Sequence, residues 1–318
     1  SQFDLAVGGS LQVMPSGQAT LYAGYDAVSY RVPASWKRGG GRVSVGGELS
    51  IATNAVVKAY AEGIWGATTV FKVGSMTIAA GGRLDAEAAG WTYTYIRAVL
   101  YCGSPQKAYN FGSGTIGYQG GTYGGWGGYS DTHNPCEISY GEAYAPFMPG
   151  SPGMNATDRW GGGALTVLAK GTIQIFGTVN ANGANQTGDG AGSGGSVWLV
   201  GTLVKTSSTT SVTAKGGTQT TNGNGGAGGG GRICIASGLK DSEVDELYAL
   251  GTCDGIVKGR ITVTDLTDGG DHAALFSGTI SAQGGVNERT YLPRRYSGTE
   301  GTAVWLTGPA AGTLILLR

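Results

Sequence analysis

Apolar and polar residues alternate with a period of two in very short runs along this chain, and the runs recur in one layout. In the segment LTVLAKGTIQIFGTVNA at 165–181, Leu165 and Val167 alternate, then Ile173 and Ile175, then Val179 and Ala181. Alternation over so few residues is the mark of a strand with one buried face, and three such strands fit in roughly twenty residues. The same triplet is written earlier as Leu5/Val7, Leu11/Val13, Ala19/Leu21/Ala23. It returns as Val43/Val45, Leu49/Ile51, Val57/Ala59/Ala61, and again as Phe71/Val73, Met76/Ile78, Leu84/Ala86/Ala88. Beyond 181 the copies loosen to Val197/Leu199, Leu203, Val212/Ala214, Ile233/Ile235, Ile261/Val263, Ile280/Ala282 and Val304/Leu306.

A unit of three short strands cannot close a core alone, because each strand offers only two buried side chains. Stacking the units lets each backbone pair with the next and turns the inward residues into continuous apolar ladders. The pattern therefore predicts an all-β fold, a parallel β-helix (β-solenoid) of about seven to nine rungs over a single domain, 1–318. Glycine, at 62 of 318 residues, is expected at its corners. A β-sandwich would not require the repeated order of pairs. Polyglycine or collagen-like helices call for a strict short glycine period, hinted at only by Gly228 to Gly231. Disorder conflicts with a chain that is 40% hydrophobic in register.

Two segments depart from the repeat. Residues 91–160 form a long insertion holding 14 of the chain's 29 aromatics, among them Trp91, Tyr93, Tyr95, Tyr123, Trp126, Tyr129 and Trp160. Those rings are candidates for contact with a partner, with another copy of the chain or with sugar rings, or they fold into a mini-core of their own. The second departure, LKDSEVDELYAL at 239–250, reads as one short helix. Asp241 or Ser242 is its expected N-cap, and Val244, Leu247 and Tyr248 share one face that covers a flank of the stack.

Composition narrows the function. Twenty-one basic and 21 acidic residues cancel, and only 13% of the chain is charged, so no basic face suits nucleic acid. No apolar run is long enough for a membrane span. A surface rich in Ser, Thr, Asn and Gly fits a secreted, extracellular protein. Two disulfides among Cys102, Cys136, Cys234 and Cys253 would fit an oxidising compartment, each contributing about 3–4 kcal/mol in the chain-entropy model; four unpaired thiols are the alternative. The chain reaches FDLAV almost at once, at 3–7, and stops on TLILLR, strand-like at both ends without a visible cap, so it is expected to be a fragment of something longer or to stack on a second copy.

Chemistry is sparse. Parallel β-helices can carry polysaccharide lyase or glycosidase sites, which need two carboxylates across a groove. Asp85 and Glu87, with Glu48 and Glu62 one rung before, are the best pair, although a solvated polar face is the simpler account. His133 beside Asp131, and His272 after Asp268 and Asp271, are the only histidines. Neither these nor Asp265 follow a known calcium or zinc spacing, so no catalytic residue, metal or cofactor is expected.

From 120 to 235 the order of elements resembles glycine-rich β-helix regions of very large secreted proteins from Planctomycetes and Verrucomicrobia. The matching stretches are GGTYGGWGG, YGEAYAPFMPGSPG, GGGALTVLAKGTIQIFGTVNANG, GSGGSVWLVGTLV, VTAKGG and GGGGRICI. Tyr123 stands where that family usually has a His. The resemblance implies a cell-surface or extracellular structural module with no established catalytic residues to carry over. Together these readings predict an extracellular subunit that assembles with itself, head to tail, into a fibre or surface matrix. A polysaccharide-acting enzyme or a glycan-binding adhesin module is the alternative.

Overall fold

A computed structural model describes residues 3–24, 40–63, 66–91, 119–129, 139–153, 160–188, 190–220, 225–267, 275–288 and 296–309. The molecule is all-β with long parallel sheets, as the alternation predicts. Each chain repeat supplies a strand to one position of a first ladder: β1 (Phe3–Val7), β4 (Gly41–Ile51), β6 (Thr69–Ile78), β8 (Ala164–Ala169), β11 (Ser196–Gly201), β14 (Arg232–Ser237) and β17 (Thr302–Thr307). Their registers stack Leu5, Val43, Phe71, Val167, Leu199, Ile235 and Trp305 in one column.

β4 and β6 bend after Val45 and Val73 and continue into a second ladder. There they align with β2 (Leu11–Val13), β9 (Thr172–Ile175) and β12 (Leu203–Thr206), stacking Leu11, Leu49, Met76, Ile173 and Val204. The third ladder is a separate parallel sheet of β3 (Gln18–Tyr22), β5 (Val56–Tyr60), β7 (Arg83–Asp85), β10 (Thr178–Asn180), β13 (Ser211–Thr213) and β16 (Thr279–Ser281). Inward residues of all three ladders meet in one core, because side chains alternate across a strand and only one face of each is turned inward.

Three inward assignments shift. In β12 it is Val204 that enters the core, while Leu203 points out at 45% exposure. In β17 the inward pair is Ala303 and Trp305, and Val304 and Leu306 face the opposite side. Both strands place apolar residues side by side, so alternation does not fix their phase. Ile261 and Val263 do not form a further inward strand: β15 (Thr262–Asp265) runs antiparallel along β17, and Ile261 packs on the outer side.

The predicted helix is present as α1 (Asp241–Leu250), but Lys240 is its N-cap. Asp241 and Ser242 are the first helical residues, because Glu243 supplies the acceptor, taking the Lys240 amide at 3.0 Å. Gly251, at φ 73°, closes the helix with its amide on the Leu247 carbonyl at 2.8 Å. Val244, Leu247 and Tyr248 lie on the outward apolar column of Trp198, Val200, Cys234, Ala236 and Leu306, and the rings of Tyr248 and Trp198 stack at 5.9 Å. A second, four-residue helix, α2 (Asp254–Val257), follows.

Cys234 and Cys253 are free thiols in this outer cluster, which corrects the expected second disulfide. The Cys234 thiol donates to the Tyr144 carbonyl at 3.1 Å, and burial pushes its pKa up. Both behave as small apolar side chains under α1. Cys102 and Cys136 lie outside the described residues.

The glycines do more than turn corners. Segments near 120–128, 150–153, 160–163, 181–184, 190–195, 214–217, 226–231, 282–285 and 296–301 lie outside the strands and hydrogen-bond largely to one another. Their amides follow a three-residue cycle. Gly228, Gly229, Gly230 and Gly231 donate in turn to Gly217, Gly121, Thr299 and Ala214, so the fourth returns to the segment met by the first. Gly192, Ser193, Gly194 and Gly195 do the same with Ala184, Ser151, Gly229 and Ala181. A chain of about three residues per turn makes this pattern, since it points successive amides at three different neighbours. At its enclosed glycines a side chain has no room: a Cβ on Gly228 would run into the Gly192 carbonyl. Three-residue glycine packing is thus a large part of the molecule, against the expectation that only Gly228 to Gly231 hint at it.

Candidate functional site

The third ladder turns alternate residues outward, and register sets them in columns. Lys58, Asp85, Asn180, Thr213 and Ser281 form one column across five strands. Thr178, Arg83 and Val56 belong to the column beside it, and Tyr22 lies opposite Tyr60 in a third. Glu87 follows β7 in the same outward phase. Residues distant in sequence are thereby brought to one patch.

Asp85 and Glu87, the carboxylates singled out as a possible acid pair, both reach it, but as members of an ion-pair cluster. Asp85 is largely buried and lies 3.8 Å from Lys58 Nζ and 3.6 Å from Arg83 Nη2. Glu87 Oε2 lies 3.7 Å from the same guanidinium and accepts from Asn180 Nδ2 at 2.9 Å. Asp85 Oδ1 also accepts the Glu87 amide at 3.2 Å. Two cations balance two anions, so neither carboxylate stands alone as an acid or base. Glu48 belongs to a different ladder, where Thr77 Oγ1 donates to it at 2.5 Å.

Aromatic rings border the cluster. Tyr22 stacks on Tyr60 at 4.9 Å and 11°, Trp160 meets Tyr60 edge-on at 6.0 Å and 79°, and Lys58 Nζ lies 5.1 Å over the Tyr60 ring. Tyr22 is 66% exposed and Trp160 half-buried.

The other predicted interaction residues separate. Trp91 and Tyr123 are fully buried with Tyr140, Met148 and Phe147 in a small satellite core. Tyr123 and Tyr140 lie 4.7 Å apart, and Tyr140 and Trp91 5.7 Å. This knot joins the insertion to the first sheet through polar contacts. The Tyr123 hydroxyl and Ser196 Oγ are 2.6 Å apart, Ser196 donates to the Met148 carbonyl at 2.6 Å, and Tyr140 donates to the Pro149 carbonyl at 3.0 Å. Arg232 Nε donates to the Tyr140 carbonyl at 2.9 Å, and its guanidinium lies 5.6 Å from the Tyr123 ring centre. Burial pushes the Tyr123 phenol up to about 12, against the pull of Arg232 and Ser196, and pushes Tyr140 up as well. Trp126 is partly exposed and Tyr129 half-buried; Tyr93 and Tyr95 lie outside the described residues.

Among the described residues no cluster of three or more His, Cys, Asp or Glu is arranged to hold a metal. His133, Asp131, His272, Asp268 and Asp271 lie outside them, and Asp265 takes the Thr267 amide at 2.8 Å. No helix among the described residues is long and apolar enough to cross a membrane. No family model matches this chain, and neither does any curated protein or solved structure.

The sequence reading singled out Asp85, Glu87 and Trp160, which lie in this patch, and did not name Tyr22, Lys58, Tyr60, Arg83 or Asn180. Their signal was present in the outward phase of β3, β5, β7 and β10. It becomes a site only when the ladder aligns those strands.

Proposed function

We propose that the chain is an extracellular structural module: a parallel β-solenoid of stacked three-strand layers that assembles end to end into a fibre or surface matrix. The support for a solenoid is the shared core of the three ladders and the return of each repeat to the same column one layer on. The observation that carries assembly is the first layer. Leu5 is 41% exposed, whereas Val43, Phe71 and Leu199 in its own column are at 2%, 1% and 0%. One more layer would bury Leu5 as its neighbours are buried, and a second copy supplies that layer.

The two ends differ. Among the described residues, β1 and β3 are the outermost strands of their sheets on one side. On the other, antiparallel β15 covers β17, while β16 ends the third ladder in parallel phase. Head-to-tail contact therefore continues the parallel ladder through β3 on β16, bringing Ala19 and Leu21 near Ile280, and is heterologous and open-ended. A polar surface with few charges suits an exposed location, and the resemblance of 120–235 to secreted glycine-rich proteins points the same way.

Negative-stain electron microscopy and sedimentation over a concentration series test this. Filaments that lengthen with concentration, with a fibre repeat of about 4.8 Å between layers, are expected, and Leu5→Lys should shorten them by putting a charge in the open column. Monomers at every concentration overturn the proposal. Closed dimers that never elongate overturn its head-to-tail form.

A further inference from the structure

We infer that the outward patch of the third ladder is a binding site for a neutral polysaccharide, independent of end-to-end assembly. Three observations meet there. First, the patch is electrically balanced: Lys58 and Arg83 are paired with Asp85 and Glu87 within 3.6–3.8 Å. A polyanion such as nucleic acid or a uronate chain gains its affinity from an excess of cations, and this surface has none.

Second, one group of each sign remains within reach of solvent. The Arg83 side chain is 41% exposed and that of Glu87 45%. A guanidinium offers donors only and a carboxylate acceptors only, each in a planar fork. Side by side they match neighbouring sugar hydroxyls, every one of which both donates and accepts. Third, aromatic rings flank these forks. Tyr22 presents the ring face that Tyr60 does not cover, and half-buried Trp160 stands edge-on to Tyr60. Aromatic faces accept the C–H faces of sugar rings, and rings with one apolar and one wet side suit such contacts. Because the patch runs across the strands of several layers, it suits an extended chain better than a single sugar.

Affinity electrophoresis in native gels tests the inference, using hydroxyethylcellulose, galactomannan and laminarin as neutral probes and alginate as the acidic one. Retardation is expected in at least one neutral gel and not in alginate. Trp160→Ala and Tyr22→Ala should each weaken it about tenfold, the order of one lost aromatic contact, and Glu87→Gln should weaken it while leaving the thermal midpoint in place. Trp126→Ala, outside the patch, should migrate as the parent. If Trp160→Ala fails to fold, exposed Tyr22 and Glu87 decide the outcome. Mobility unaffected by all three neutral polymers, retardation in alginate alone, or retardation that survives Tyr22→Ala and Glu87→Gln would overturn it. Filament formation is read separately, so either idea can fail without the other.

Discussion

Tyr123 shows how one buried polar residue sets a condition on the whole fold. Its phenol is held neutral by burial, with a folded-state pKa near 12 against an ordinary value of 10.0. An unfolded chain releases that proton at the ordinary value, so between these two pH values the folded state binds more protons than the unfolded one. Stability is therefore fully present below pH 10 and falls as pH rises towards 12, by about 1.4 kcal/mol per pH unit for each such group. Tyr140 is displaced in the same direction and adds to the loss. Thermal midpoints measured from pH 8 to 12 should drop steeply above 10, and Tyr123→Phe should flatten the drop. The parent and the variant falling in parallel would show that Tyr123 is not the group responsible. Cys234 makes the complementary point: a thiol that reads as half of a disulfide serves as a packed apolar group bonded to a carbonyl.

At the scale of the element, the glycine-rich segments behave unlike the strands they connect. A strand points its amides alternately to two neighbours, whereas these segments serve three, so their enclosed glycines tolerate no Cβ. The contrast is measurable with two substitutions. Gly228 faces the Gly192 carbonyl directly, while nothing lies near the position a Cβ would take on Gly9. Gly228→Ala should destabilise by about 1–3 kcal/mol or more through overpacking, and Gly9→Ala should change stability by no more than about 0.5 kcal/mol. Urea unfolding of the two variants gives the comparison, and equal midpoints would contradict the close-packed reading. The helix illustrates the other side of element-scale reading. Its apolar face of Val244, Leu247 and Tyr248 was legible from spacing, and it covers Trp198 and Cys234 as an amphipathic face must. Its cap was not legible, because the acceptor came from Glu243 inside the helix rather than from Asp241 or Ser242.

For the whole molecule, parallel ladders held mainly by contacts between neighbouring strands carry a stability that varies from the edge strands to the central ones. Among the described residues, β1 and β3 pair on one side only, and Leu5 and Tyr22 are exposed. Their amides should exchange with solvent well ahead of those of β8, β10 and β11, which are paired on both sides. Hydrogen-exchange mass spectrometry at low concentration should show this gradient, and assembly should slow β1–β3 selectively. Uniform exchange along the chain would mean that the layers open as one unit and that the first is no weaker than the rest.

Much of this was local information. Which residues turn inward in β1 to β10 follows from the repeated period-two pairs, even though β5, β6 and β8 also carry an apolar residue on the other face. The helix and the all-β class follow from patterns equally short in range. Only the tertiary structure decided the rest. It set the phase of β12 and β17, whose adjacent apolar residues leave alternation ambiguous and whose stacking partners choose the inward one. It gave the glycines three directions of hydrogen bonding, since an amide's partner lies tens of residues away and leaves no trace in the neighbouring sequence. It also gathered Tyr22, Tyr60, Arg83, Glu87, Trp160 and Asn180 into one patch, for sequence specifies what each layer carries outward, and only the register between layers specifies what lies beside it.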